Sequence, residues 1–161
     1  MVAKDARRLL DRFGELVSAR DPAVLDLFQD DALLVGSEVG ESAHGRIELQ
    51  AFFEHVFAWP ASIRWEWNDL HCRGIGDAIW CFAEGEVVAT SPDGSRRAPY
   101  RMSCVLIRNS DTLRFSLFHG AEPAAKQSRD GHPQGRAGGP PRPPRGNEET
   151  WGGPAFPHEA R

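Results

Sequence analysis

An α+β domain, in which helices cover one face of a curved, mostly antiparallel sheet, is predicted by three observations. Apolar residues recur at helical spacing through the amino-terminal third. From Ala61 onward the apolar period switches from about 3.6 to 2. Turn signals, Pro92-Asp93-Gly94 among them, then divide the alternating region into four consecutive strands. Three helices, the first two leading, followed by a four-strand meander argue for this arrangement.

Taken in order, Lys4 to Arg20 carry Leu9, Leu10, Phe13, Leu16 and Val17 on one face and predict an amphipathic first helix. Asp21 is a good cap and Pro22 suits a first helical position, so Pro22 to Gln29 reads as a second, short helix ended by Asp30-Asp31. Ala32 to Val35 reads as a strand and Gly36 to Ser42 as a glycine-rich turn or short hairpin. Ile47 to Ala58 reads as a third helix burying Ile47, Leu49, Phe52, Phe53, Val56 and Phe57, and Pro60 stops it. The meander follows: a strand holding Ile63, Trp65 and Trp67, a long strand Ala78 to Thr90, then Tyr100 to Arg108 and Leu113 to His119.

The chain has 161 residues and a formal charge of -4, from 19 Lys+Arg against 23 Asp+Glu. No run approaches the ~20 apolar residues of a bilayer span. The first twenty residues are too charged for a secretory signal, so a cytoplasmic protein without membrane contact is expected. Cys72, Cys81 and Cys104 form no CxxC pair, and reduced, mostly buried thiols are expected. His44, His55 and His71 lack partners at ligand spacing, so neither a metal nor any other cofactor is expected.

Composition changes after Pro123. Ala124 to Arg161 holds seven of the twelve prolines and seven of the sixteen glycines, which predicts one folded domain over 1-123 and a disordered Pro/Gly-rich tail over 124-161. Gly139 to Arg145 could form a short polyproline II rod for a peptide reader, or remain a solvated extension. The folded part is acidic and the tail's cations are scattered among anions, so nucleic acid is not an expected partner.

The order of two helices, Asp30-Asp31-Ala32, a strand, Gly45-Arg46 opening the third helix and a meander ending in His119 resembles the nuclear-transport-factor-2-like superfamily, specifically its SnoaL-like branch. Arg101-Met102-Ser103 resembles that branch's Arg, any residue, Thr or Ser; Leu113-Arg114-Phe115 with His119 and Pro123 resembles its closing stretch, with Leu113 for the usual Trp and Ala121 for the usual Ser. The resemblance covers about Lys4 to Pro123. It implies a cone-shaped fold with a pocket between sheet and helices, usually dimeric through the outer sheet face. It also implies a small apolar ligand, with isomerase, cyclase or dehydratase chemistry by acid and base. The alternative is a non-catalytic ligand-binding or oligomerisation module. One fold hosts many functions, so the site rests on its own residues.

His119 shares strand parity with Leu113, Phe115 and Leu117 and is the first candidate acid or base, with Glu122 as substitute. Glu84 and Glu86 share one face of the long strand. Inside the cone they would pair as acid and base, with Glu86 the second titrating group; outside it they would face solvent or a dimer seam with an Arg partner. Tyr100 and Arg101 are candidate polarising donors, Tyr100 being equally a surface aromatic at a strand start, and Trp65 and Trp67 are candidate walls for a planar apolar ligand or, more often at such alternating spacing, core and interface filler. Gly74-Ile75-Gly76 joins two antiparallel strands and is no dinucleotide loop. The superfamily's isomerases carry a general-base Asp a few residues beyond Asp-Asp-Ala, and the same count lands here on Gly36. Glycine cannot be a base, which disfavours a steroid-type isomerase unless Glu38 reaches back through the turn.

Overall fold

The computed structural model describes residues 2–110 and 112–123; the expected disordered tail and its proline-rich stretch lie outside the described residues. The chain order is α1 (Val2–Ser18), a 3-10 helix (Pro22–Leu27), β1 (Phe28–Val35), β2 (Ser42–His44), α2 (Gly45–Ala58), β3 (Ser62–Ile75), β4 (Ala78–Ser91), β5 (Gly94–Asn109) and β6 (Thr112–Ala121). The strands form one six-stranded sheet in the order β2-β1-β6-β5-β4-β3. Every neighbouring pair is antiparallel except β1 with β6.

All five apolar residues of the first predicted stripe are buried in α1. Phe13 is its centre, in edge or tilted contact with Phe28, Phe53, Phe115 and Phe118 and stacked on Trp65 at 5.1 Å. Such rings bury large apolar areas and lock one another's rotamers. The second helix is a single 3-10 segment rather than an α-helix. Asp21 caps it through the Ala23 amide at 2.9 Å, but Phe28 already belongs to β1 and sits opposite Phe115. Asp30 and Asp31 consequently lie within a strand, where the β1 register slips between Phe28 and Leu33.

The third predicted helix starts at Gly45, with Glu48 accepting the His44 amide at 2.8 Å to close its first turn. Leu49 and Phe53 face the sheet; Ile47, expected inside, is 87% exposed on the first turn's solvent side.

Two irregularities bend the sheet. An ideal Cβ on Gly85 would fall 2.0 Å from the Glu66 carbonyl oxygen, so only glycine lets β3 fold this tightly over β4. Opposite it the register slips between Trp67 and Asp69, and the Trp67 carbonyl accepts from Arg7 Nη2 of α1 at 3.1 Å. The thiols expected to be reduced are partly paired. Cys72 and Cys81 are register partners across β3 and β4 and form a disulfide, which a nine-residue sequence separation does not reveal. Cys104, beside Cys81 on β5, is free and buried, and burial pushes its thiol up to about 12. No described helix is long and apolar enough to cross a membrane.

Candidate functional site

An open cavity lies between the helices and the inner sheet face. Its apolar walls include Phe13, Phe52, Phe53 and Val56 from the helices and Trp65, Val87 and Phe118 from the strands. One end is polar: Ser37, Glu38, Glu41, Tyr100 and Glu122 meet there.

Glu41 is brought in by the turn between β1 and β2. The Gly36 amide donates to the Glu41 carbonyl at 2.7 Å, and Gly40 takes φ +87°, a conformation glycine adopts freely. The turn thereby folds the Glu41 side chain back over Gly36: an ideal Cβ on Gly36 would stand 2.1 Å from Glu41 Oε2. Glu41 is only 7% exposed and accepts the Glu38 amide through Oε2 at 3.0 Å. Burial, with the Glu38 charge behind it, raises its pKa against the lowering by the Glu38 and Ser37 amides and His55. Glu122, just past β6, accepts from the Ser37 hydroxyl at 3.4 Å. Its pKa is raised too, by burial first and then by Glu38 and Glu41. Both carboxyls hold protons more readily than exposed ones do.

Tyr100 stands opposite Gly85, its ring 6.0 Å from Trp65 and 6.1 Å from Trp67. Its hydroxyl overlies Gly120, where an ideal Cβ would be 1.8 Å away. Burial, then the Glu41 and Glu122 charges, raise the phenol far above its ordinary range, which outweighs the opposing influence of Trp65 and Ser37. Tyr100 therefore stays protonated and is a hydrogen-bond donor at neutral pH.

Of the residues singled out from sequence, the fold brings Trp65 and Tyr100 to the cavity with Glu122; Trp67 is buried behind them, parallel to Trp65 at 6.4 Å. His119, Glu84, Glu86 and Arg101 lie on the other face. The parity expected for His119 is corrected by a bulge: Val105 pairs with Leu117 and Leu106 with Phe115, leaving Ser116 unpaired. Phe115 and Phe118 then both point inward and His119 is exposed, opposite exposed Ser103. Glu86 and Glu66 share Arg97, and Glu84 pairs with Arg101 at 2.8 Å, so the two strand carboxylates form half-exposed ion pairs with arginines of β5. Glu41 escaped the sequence reading. Its signal is a glycine in the expected base position followed by a turn that returns a carboxylate to the same place.

Helices over a bent six-stranded sheet, enclosing a cavity with one polar end, give this chain the fold of solved NTF2-like proteins. The chain belongs to the SnoaL-like domain family, whose model matches residues 6–123. Solved structures with the same fold include an NTF2-like family protein from Streptomyces avermitilis described as a proposed dehydratase (15% identity, TM-score 0.68, covering 77% of this chain and 98% of that one). An NTF2-like protein of unknown function from Pseudomonas putida KT2440 is 14% identical, with TM-score 0.65 and coverage of 84% and 96%. A Catenulispora acidiphila protein in complex with S-DNPA is 17% identical, with TM-score 0.66 and coverage of 74% and 91%. At these identities the likeness establishes the fold. No curated protein matches the chain.

Proposed function

We propose that the protein binds an apolar small molecule in the cavity and moves a proton on it, in an isomerisation, cyclisation or dehydration. The observation that carries this reading is Glu41, a buried carboxyl of raised pKa at the polar end of an otherwise apolar, aromatic cavity. Glu41 takes a proton from a carbon beside a carbonyl, the electron pair moves onto the carbonyl oxygen, and the Tyr100 hydroxyl stabilises that oxygen. Glu41 or Glu122 then returns the proton to a second position. The roles considered for His119 and Glu86 pass to Glu41 and Glu122, because these carboxyls of raised pKa line the cavity, with Glu38 beside them. A protein of the same fold described as a proposed dehydratase and another solved in complex with S-DNPA are consistent with this use of the fold.

The test is exchange of the α-hydrogens of 1-tetralone in D₂O, followed by NMR. Wild type is expected to accelerate exchange over buffer and Glu41→Gln to abolish the gain. A gain retained in Glu41→Gln overturns the assignment.

One observation favours the second reading, an assembly module. Trp80, Val105, Leu117 and Leu33 are successive register partners across β4, β5, β6 and β1 on the outer face, with Trp80 44% and Leu33 38% exposed. A homodimer through this row is compatible with ligand binding, and sedimentation of the Trp80→Glu variant against wild type tests it.

A further inference from the structure

Three cysteines fall on one line across the sheet. Cys81 of β4 is the register partner of Cys72 on β3 and, on its other side, of Cys104 on β5. Register partners share a face, so the three side chains stand in a row on the inner face with Cys81 in the middle. The disulfide joins Cys72 to Cys81, and Cys104 is a free thiol. None of the three lines the cavity, and the proton transfer proposed there uses none of them.

Spacing and direction set the chemistry of this row. The Cα atoms of Cys72 and Cys81 are 4.2 Å apart, as in a non-hydrogen-bonded antiparallel pair. The amide and carbonyl of one residue point to the same side of a strand, so those of Cys81 turn toward β5 and make Cys81 and Cys104 a hydrogen-bonded pair. Partners of that kind stand about 5.5 Å apart at Cα, within the spacing that disulfides most often bridge. The Cys104 thiol is accordingly held against Cys81, hydrogen-bonded to its backbone. A thiolate displaces sulfur in line, from the side opposite the leaving sulfur. The Cys72–Cys81 bond runs across the strands from β3 to β4, and β5 is the next strand beyond, so Cys104 faces Cys81 from the side opposite Cys72.

We propose that the row is a thiol–disulfide exchange relay, in which the bridge moves from Cys72–Cys81 to Cys81–Cys104 and delivers a free thiol at Cys72, the site at which a small electrophile is taken up. Cys104 gives up its proton and its thiolate forms a bond to Cys81 Sγ. The bond between Cys81 and Cys72 breaks, and Cys72 leaves with the electron pair and takes up a proton. One thiol and one disulfide stand on each side of the step, so it needs no oxidant or reductant. Cys81 and Cys104 are 1% and 2% exposed, whereas Cys72 is only partly buried and sits on β3, the outermost strand of the sheet. The exchange therefore moves the reactive thiol from a position that solvent does not reach to one that it does. Burial keeps Cys104 protonated, with its pKa up at about 12, so the step is slow, on the minutes-to-hours scale of uncatalysed disulfide rearrangement. Capture of the Cys72 thiolate by an electrophile draws the exchange forward.

The test uses the full chain purified without reductant. Trypsin leaves each cysteine in its own peptide: Cys72 in 65–73, Cys81 in 74–96 and Cys104 in 102–108. The native protein is held for hours with iodoacetamide at pH 8, which alkylates a thiolate and releases iodide. Remaining thiols are blocked with N-ethylmaleimide in urea at pH 6, and the digest is mapped by mass spectrometry without reduction. Expected is the acetamide label on 65–73 with 74–96 linked to 102–108, and loss of the Cys72 label in Cys104→Ala. Acetamide or maleimide on 102–108 with 65–73 still linked to 74–96 overturns the relay, as does a Cys72 label that survives in Cys104→Ala. A link between 65–73 and 102–108, with Cys81 labelled, marks scrambling in the unfolded chain and overturns it too, because the row keeps Cys72 and Cys104 two strands apart. Three thiols and no bridge overturn the disulfide and this inference with it. The wild-type map decides the matter if Cys104→Ala does not fold.

Discussion

Glu41 occupies the volume that a side chain at position 36 would need: its Oε2 lies 2.1 Å, and its own Cβ 2.7 Å, from the ideal Cβ of Gly36. A carboxyl that glycine cannot supply at position 36 is thus delivered to the same place by a turn. Gly36→Ala is expected to expel Glu41 and to cost about 1–3 kcal/mol, as overpacking of a tight site does. Urea unfolding reads the cost, and loss of tetralone exchange reads the displacement. An unchanged midpoint would mean the turn yields freely.

Protonation provides a second expectation. Glu41 and Glu122 have folded-state pKa values above the ordinary carboxylate value of 4.5, so the folded state binds protons more tightly than the unfolded chain. Their contribution to stability is complete below that value and is lost as pH rises through the raised pKa values. Glu41→Gln, which keeps an acceptor for the Glu38 amide, is expected to flatten this decline and to be no less stable than wild type at pH 7. Urea midpoints from pH 4 to 8 check it; a variant curve parallel to wild type would contradict the sign.

Gly120 does for Tyr100 what Gly36 does for Glu41. A Cβ at Gly120 would meet the phenol oxygen at 1.8 Å, so Gly120→Ala is expected to push the ring into the cavity. Tetralone affinity should fall at least about tenfold, the equivalent of one neutral hydrogen bond, while its hydrocarbon counterpart tetralin, excluded only by volume, loses less. Isothermal titration with both ligands separates the two effects.

On the outer face, His119→Ala and Glu86→Gln are expected to leave tetralone binding and exchange unchanged. His119 is exposed opposite Ser103, and Glu86 is held by Arg97 in a half-exposed ion pair of the kind that contributes little. A kinetic loss in either variant with retained stability would place function on this face.

The helices and the meander were legible because their apolar periods are local: the α1 stripe from Leu9 to Val17 names its own buried face. The face on which a strand residue emerges was not, because one unpaired residue, Ser116, reverses every parity beyond it. Bulges depend on how a partner strand is placed, and the sequence of β6 alone does not carry that placement. Tyr100 and Trp65, which line the cavity, stood out in the sequence as the lone tyrosine and as one of the alternating tryptophans of β3. Glu41 was not, because its place depends on a turn closed by the Gly36 amide and not on any period.

The parallel pairing of β1 with β6 governs when the site comes into being during synthesis. Four of the five neighbouring strand pairs are closed by segments adjacent or nearly adjacent in the chain, but β1 must wait for Leu117 and Phe118 before its inner edge is covered. Glu122 emerges later still. The amino-terminal half therefore leaves the ribosome holding Glu41 without its counterpart, and Glu122 can join it only once the last strand has been made and docked.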